Sequence, residues 1–127
     1  MPDEYRIARV EEQIKREVAA LLAAHAHDAA VKWVTVLWVK VSKDLSFADV
    51  YVSVYGDDAD TVAGMKALAR CRPFVQRGVA AKVRLRKTPR VRFRLDHQYR
   101  SAVRVLEILK GLEQGEDAAD EGNLGNP

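Results

Sequence analysis

A chain of 127 residues that is 48% hydrophobic can bury one core, and its single cysteine, Cys71, excludes an internal disulfide framework and a four-thiolate metal site. The net charge of +3 comes from 21 Lys and Arg against 18 Asp and Glu, which as a total excludes little. No apolar run approaches bilayer length and the first residues carry no secretory pattern, so a soluble, cytoplasmic, single-domain protein with no membrane partner is expected.

Over residues 3–24, Ile7, Val10, Ile14, Val18 and Leu21 recur at steps of three and four, one stripe of an α-helix whose other face carries Arg6, Arg9, Glu12, Lys15 and Arg16. Residues 25–30 break the stripe and read as a connector. Residues 31–41 are β-branched and aromatic, with both alternating sets largely apolar, which predicts an interior strand whose wetter face is the phase of Lys32, Val34, Val36, Trp38 and Lys40. After turn residues 42–46, Ala48, Val50, Val52 and Val54 alternate with Asp49, Tyr51, Ser53 and Tyr55, a half-buried strand that closes an antiparallel hairpin.

The acidic turn at residues 56–60 sits where a helix N-terminus favours carboxylates, and Val62, Met65, Leu68 and Ala69 continue it as a helix. Pro73 lacks the amide hydrogen and suits a first helical position, so one helix is expected to stop near Cys71 and another to start at Pro73, with Phe74, Val75, Val79 and Val83 as its apolar set. Val91, Phe93 and Leu95 then alternate with Arg90, Arg92 and Arg94 in a third strand. A last helix is expected over residues 98–112, so that residues 1–112 form the domain and residues 113–127 an acidic, disordered tail. The order predicts an α+β fold: a three-stranded mixed sheet with helices packed on one face.

Charge along this chain is segregated. Residues 61–95 hold eleven Lys or Arg and no Asp or Glu, while the remainder holds 10 Lys and Arg against 18 Asp and Glu. Solvated helices mix both signs, so an unrelieved block of cations is the footprint of a polyanionic partner. Its densest part is Lys82, Arg84, Arg86 and Lys87, at a helix end and the following loop. With about five phosphates neutralised, log K falls against log salt with a slope of roughly −4.

Other candidates have plainer readings. Trp33, Trp38, Tyr51 and Tyr55 are possible platforms for unpaired bases, but aromatic residues on strands usually pack the sheet; Trp38 is the one that shares a face with Lys40. His25, His27 and Asp28 do not converge as metal ligands and read as a helix end and connector, so no metal or other cofactor is expected. Cys71 stands between Arg70 and Arg72 without a nearby histidine to act as base, and reads as a structural thiol. Ser42, Asp44 and Ser46 read as a hairpin turn, and no catalytic set accompanies them, so the chain is not read as an enzyme.

Several segments together resemble the bacterial ribosome-binding factor A family: Arg9-Val10 and residues 13–17 in the first helix, residues 34–36 and 39–45, residues 48–53, Lys66-Ala67-Leu68, and residues 84–89. The likeness covers nearly everything from Tyr5 to Leu109. It implies a type II KH-like fold and a monomeric factor in late maturation and rRNA processing of the small (30S) subunit. The implied partner is 16S ribosomal RNA near its 5′ end and neck, and cold adaptation is implied as well. An ordinary KH module clamps the backbone with a Gly-x-x-Gly loop between two helices, and no such pattern stands between the helices expected here. The family replaces that loop with a kink of alanine, any residue and glycine, and this sequence has Cys71, Arg72 and Pro73 there. The basic surface carries over to Arg84, Arg86 and Lys87, and further to Arg72, Arg77 and Lys82. A general RNA- or DNA-binding protein without ribosome specificity fits the same cations.

Overall fold

The computed structural model describes residues 2–25 and 28–96, with side chains from Glu4 onward; the expected helix at residues 98–112 and the tail lie outside the described residues. The elements are helix α1 (Pro2–Ala24), a short 3-10 turn (Val31–Trp33), strands β1 (Val34–Val41) and β2 (Phe47–Val54), helix α2 (Asp58–Lys82) and strand β3 (Arg90–Leu95). Among the described residues the strands form a mixed sheet in the order β1-β2-β3, with β1 antiparallel and β3 parallel to the central β2. A parallel return needs a crossover, and α2 supplies it.

Both helices lie against the same face of the sheet. Val10, Ile14, Val18 and Leu22 of α1 and Leu68, Cys71, Val75 and Val79 of α2 share one core with Val39, Val41, Ala48, Val50, Val52 and Val91. Each large apolar side chain taken fully from water there contributes about 1.5–3 kcal/mol. The helices approach closely at Gly78, where an added Cβ would stand 2.6 Å from Cδ1 of Leu21. Two further ties join these elements: Glu11 of α1 accepts the Val41 N–H at 2.9 Å, and the His25 ring packs at 5.0 Å from that of Phe74.

β1 differs from the strand expected from its composition. It begins only after the 3-10 turn, and among the described residues it pairs with β2 alone, as an edge strand. Its register slips between Val36 and Trp38, so Leu37 is the extra residue of a bulge and the inward phase changes there. Val34 and Val36 pack on the core, against the expectation that their phase would be the wetter one; beyond the bulge Val39 and Val41 are buried, and Trp38 and Lys40 face outward. Two apolar phases in sequence thus come from one inward face with a bulge, not from burial on both faces.

α2 also departs from expectation, because it runs unbroken through Pro73 instead of ending near Cys71. Proline within a helix removes one hydrogen bond and costs about 3 kcal/mol. The turns on both sides are held by buried residues, Leu68 and Cys71 before and Val75 and Val79 after, and Pro73 itself lies on the exposed side. Those four anchors keep the helix continuous where proline alone would favour a break. The N-terminus is fixed as the acidic turn suggested: the Asp57 carboxylate accepts the Asp60 N–H at 2.9 Å, and Asp60 accepts the Asp57 N–H at 3.0 Å. Gly56 enters this capping box at φ +120°, where an L side chain is strained.

The hairpin between β1 and β2 turns on Ser42, as expected. Its hydroxyl accepts the N–H groups of Ser46 and Phe47 and donates to Asp44, whose carboxylate also accepts the Ser46 N–H; these bonds hold the Asp44 carboxyl below its usual range.

Candidate nucleic-acid interface

The segment joining α2 to β3, residues 83–89, carries the densest cations, and its side chains alternate in fate. Val83 and Pro89 are buried and Leu85 packs against the core, while Arg84, Arg86 and Lys87 are exposed. The apolar residues therefore fasten the loop from below. Its exit is fastened a second time by Gln76 of α2, whose amide donates to the Pro89 carbonyl at 2.9 Å and accepts the Val91 N–H at 2.8 Å. Three cations are thus presented on a backbone held at both ends, which lowers the entropy lost when they engage phosphates.

The tertiary structure sorts ten of the eleven cations of residues 61–95 into two groups, with Arg72 apart from both. Arg70 meets Asp28 at 3.0 Å, which lowers the Asp28 pKa chiefly through that hydrogen bond. Arg92 forms a forked pair with Asp49, at 2.7 and 3.1 Å, and Arg94 approaches the same carboxylate at 3.8 Å. Acids distant in sequence thus relieve part of the block. Lys66, Arg77, Lys82, Arg84, Arg86, Lys87 and Arg90 are exposed and make no ion pair among the described residues.

Of the six residues singled out from sequence, Lys82, Arg84, Arg86 and Lys87 fall together at the last turn of α2 and the following loop. Lys82 also complements the helix dipole there. Arg77 lies on the exposed stripe of α2 with Lys66, Arg70 and Pro73, at steps of four, three and four. Arg72 is placed differently: it donates to Gln76 Oε1 at 3.3 Å and to the Val91 carbonyl at 3.5 Å, so it faces β3. Gln76 escaped sequence reasoning because its partners lie 13 and 15 residues away, and a lone amide among apolar and basic neighbours carries no local signal.

Cys71 lies in the core beneath this region, with its thiol directed to the Leu68 carbonyl at 3.5 Å. Burial pushes its pKa up, the reverse of what a reactive thiol requires.

The model of the ribosome-binding factor A family matches residues 6–109 of this sequence. The chain belongs to that family. A ribosome-binding factor A from Desulfitobacterium hafniense is 35% identical over 118 residues, covering 93% of this chain and 94% of the relative. The crystal structure of ribosome-binding factor A from Thermus thermophilus superposes with a TM-score of 0.62 at 31% identity, over 70% of this chain and 93% of that one. The fold is accordingly the KH-like one of the ribosome-binding factor A structures. A homology model of the Thermus thermophilus ribosome binding factor A, fitted into the cryo-EM map of a 30S complex, is similar with a TM-score of 0.50 at 29% identity, over 68% of this chain and 86% of that one.

Proposed function

We propose that this chain is a non-enzymatic, monomeric assembly factor that binds 16S ribosomal RNA on the small subunit or its precursor, during late maturation and rRNA processing and in cold adaptation. The observation that carries the reading is the anchored loop: Val83, Leu85 and Pro89 hold it down, and Arg84, Arg86 and Lys87 stand free of acidic partners among the described residues. Its support from relatives is the family, together with the Thermus thermophilus protein fitted into a 30S complex. Phosphate contacts from the loop, Lys82 and Arg77 supply most of the affinity, and the fit of a rigid KH-like body to folded RNA supplies the choice of site. Arg72 contributes mainly by holding β3 against α2. Binding shifts the precursor toward the conformation it fits, through differential affinity alone.

Reversing the loop charges, with Arg84→Glu, Arg86→Glu and Lys87→Glu together, tests this. Cosedimentation with small subunits at near-physiological salt is expected to weaken on the order of a hundredfold, with a shallower salt dependence. The thermal midpoint should scarcely move, since exposed charges contribute little to stability. Unaltered cosedimentation would remove the loop from the interface. Wild-type protein spread evenly over all cellular RNA would instead indicate a general RNA or DNA binder.

A further inference from the structure

The sheet face opposite the helices forms a second surface. Outward residues of the three strands fall into rows across it: Trp38 beside Tyr51 beside Arg94, then Lys40 beside Asp49 beside Arg92, then Phe47 beside Arg90. No described helix covers these rows. Trp38 is 43% exposed and Phe47 37%, so both rings keep surface open to solvent. Trp38 lies against Tyr51 with centroids 5.5 Å apart and planes 30° from parallel, and the Arg92 guanidinium sits 4.0 Å from the centre of the Phe47 ring.

The charge on this face favours one kind of partner. Four cations, Lys40, Arg90, Arg92 and Arg94, share it with one acid, Asp49, which is already engaged by Arg92 and Arg94. Protein-docking patches are depleted in charged residues at their core, whereas aromatic rings set among several cations are the usual platform for unpaired nucleotides. Phe47 and Tyr51 are four residues apart on β2, about 13 Å, with Lys40 and Arg92 across from the position between them. Bases stacked at the two stations would carry their intervening phosphates over cations. The face also continues from the basic loop, because Arg90 follows it directly and donates its N–H to the Ser46 carbonyl at 2.8 Å, beside Phe47.

We infer that the outer face of the sheet, centred on Trp38, Tyr51 and Phe47, binds unpaired RNA nucleotides by base stacking, as a contact separate from the phosphate-binding loop. The inference rests on the RNA-binding reading above and adds to it the class of RNA read by this face. Single-stranded and helical RNA then meet different parts of the molecule.

Trp33→Phe leaves Trp38 as the only tryptophan and a direct reporter. Titration with a 12-nucleotide oligouridylate is expected to quench its emission, and a 12-base-pair RNA duplex at equal occupancy is expected not to. Trp38→Ala and Phe47→Ala, each first checked for a cooperative melt, are expected to weaken oligouridylate binding roughly five- to a hundredfold, with the salt slope unchanged. The quenching measurement uses the native side chain and stands even if an alanine variant fails to fold. Unquenched Trp38 at saturation, or folded alanine variants that bind oligouridylate like the wild type, would overturn the inference. Weaker subunit binding by Trp38→Ala without a change toward oligouridylate would also overturn it, assigning the face to a ribosomal protein. Loss of subunit binding on loop-charge reversal together with unquenched Trp38 would keep the proposed function and discard only this face. Quenched Trp38 with unaltered subunit binding after loop reversal would do the opposite.

Discussion

The amide of Gln76 donates to the Pro89 carbonyl at the end of the basic loop, and its Oε1 accepts both the Val91 N–H of β3 and the Arg72 guanidinium. Removing it leaves two part-buried backbone groups to find water, at a cost of about 1–3 kcal/mol. Gln76→Ala is therefore expected to lower stability by that amount in urea denaturation and to weaken RNA binding although Gln76 bears no charge. A variant with reduced stability and unchanged affinity would mean that loop fixation is irrelevant to binding. The Arg92 and Asp49 pair differs in kind: it is part-exposed, raises the Arg92 pKa through the hydrogen bond to Asp49, and orders the outer sheet face more than it stabilises the fold.

Among the elements, α2 carries the most conflict between local preference and tertiary demand. Its first turn is locally determined, by a capping box that can be read from Asp57 and Asp60. The Asp57 pKa is lowered, first by accepting the Asp60 N–H. The stability this cap contributes is complete above the unfolded-state pKa of about 4 and is lost as pH falls through the lower folded value. Asp57→Ala is accordingly expected to melt earlier than wild type at neutral pH, with the difference narrowing below about pH 4. A gap between the melting curves that is constant with pH would place the effect elsewhere. At mid-helix the logic reverses, since Pro73 opposes the helix locally and the burial of Val75 and Val79 on the far side retains it.

For the whole molecule, the sheet acts as a divider. Its inner face holds Ala48, Val50, Val52 and Val91 at 0% exposure under two helices, and its outer face carries the aromatic and cationic rows. Val50 sits on the central strand, so Val50→Asp puts an unpaired carboxylate under both helices. The several kcal/mol this costs are comparable to the whole stability of an ordinary domain, and the variant is expected to show no cooperative thermal transition by circular dichroism. A cooperative melt near the wild-type midpoint would contradict the burial of that face.

Periodicity and punctuation determined a good deal unaided. The stripe of α1, the strand phase of β2, the alternation of Val91 and Leu95 with arginines, and the basic segment from Lys82 to Lys87 all follow from repeats of 3.6 or 2 and from local charge. These are properties of neighbours in sequence, so they survive without knowledge of the fold. Tertiary structure decided what depends on distant partners: the bulge at Leu37 that reverses the phase of β1, the persistence of α2 through Pro73, and the pairing of Asp28 and Asp49 with arginines of the basic block. The register of β3 on β2 set Asp49 against Arg92 and Tyr51 against Arg94. Register arises from packing of the buried face over the whole sheet, and no stretch of local sequence contains it.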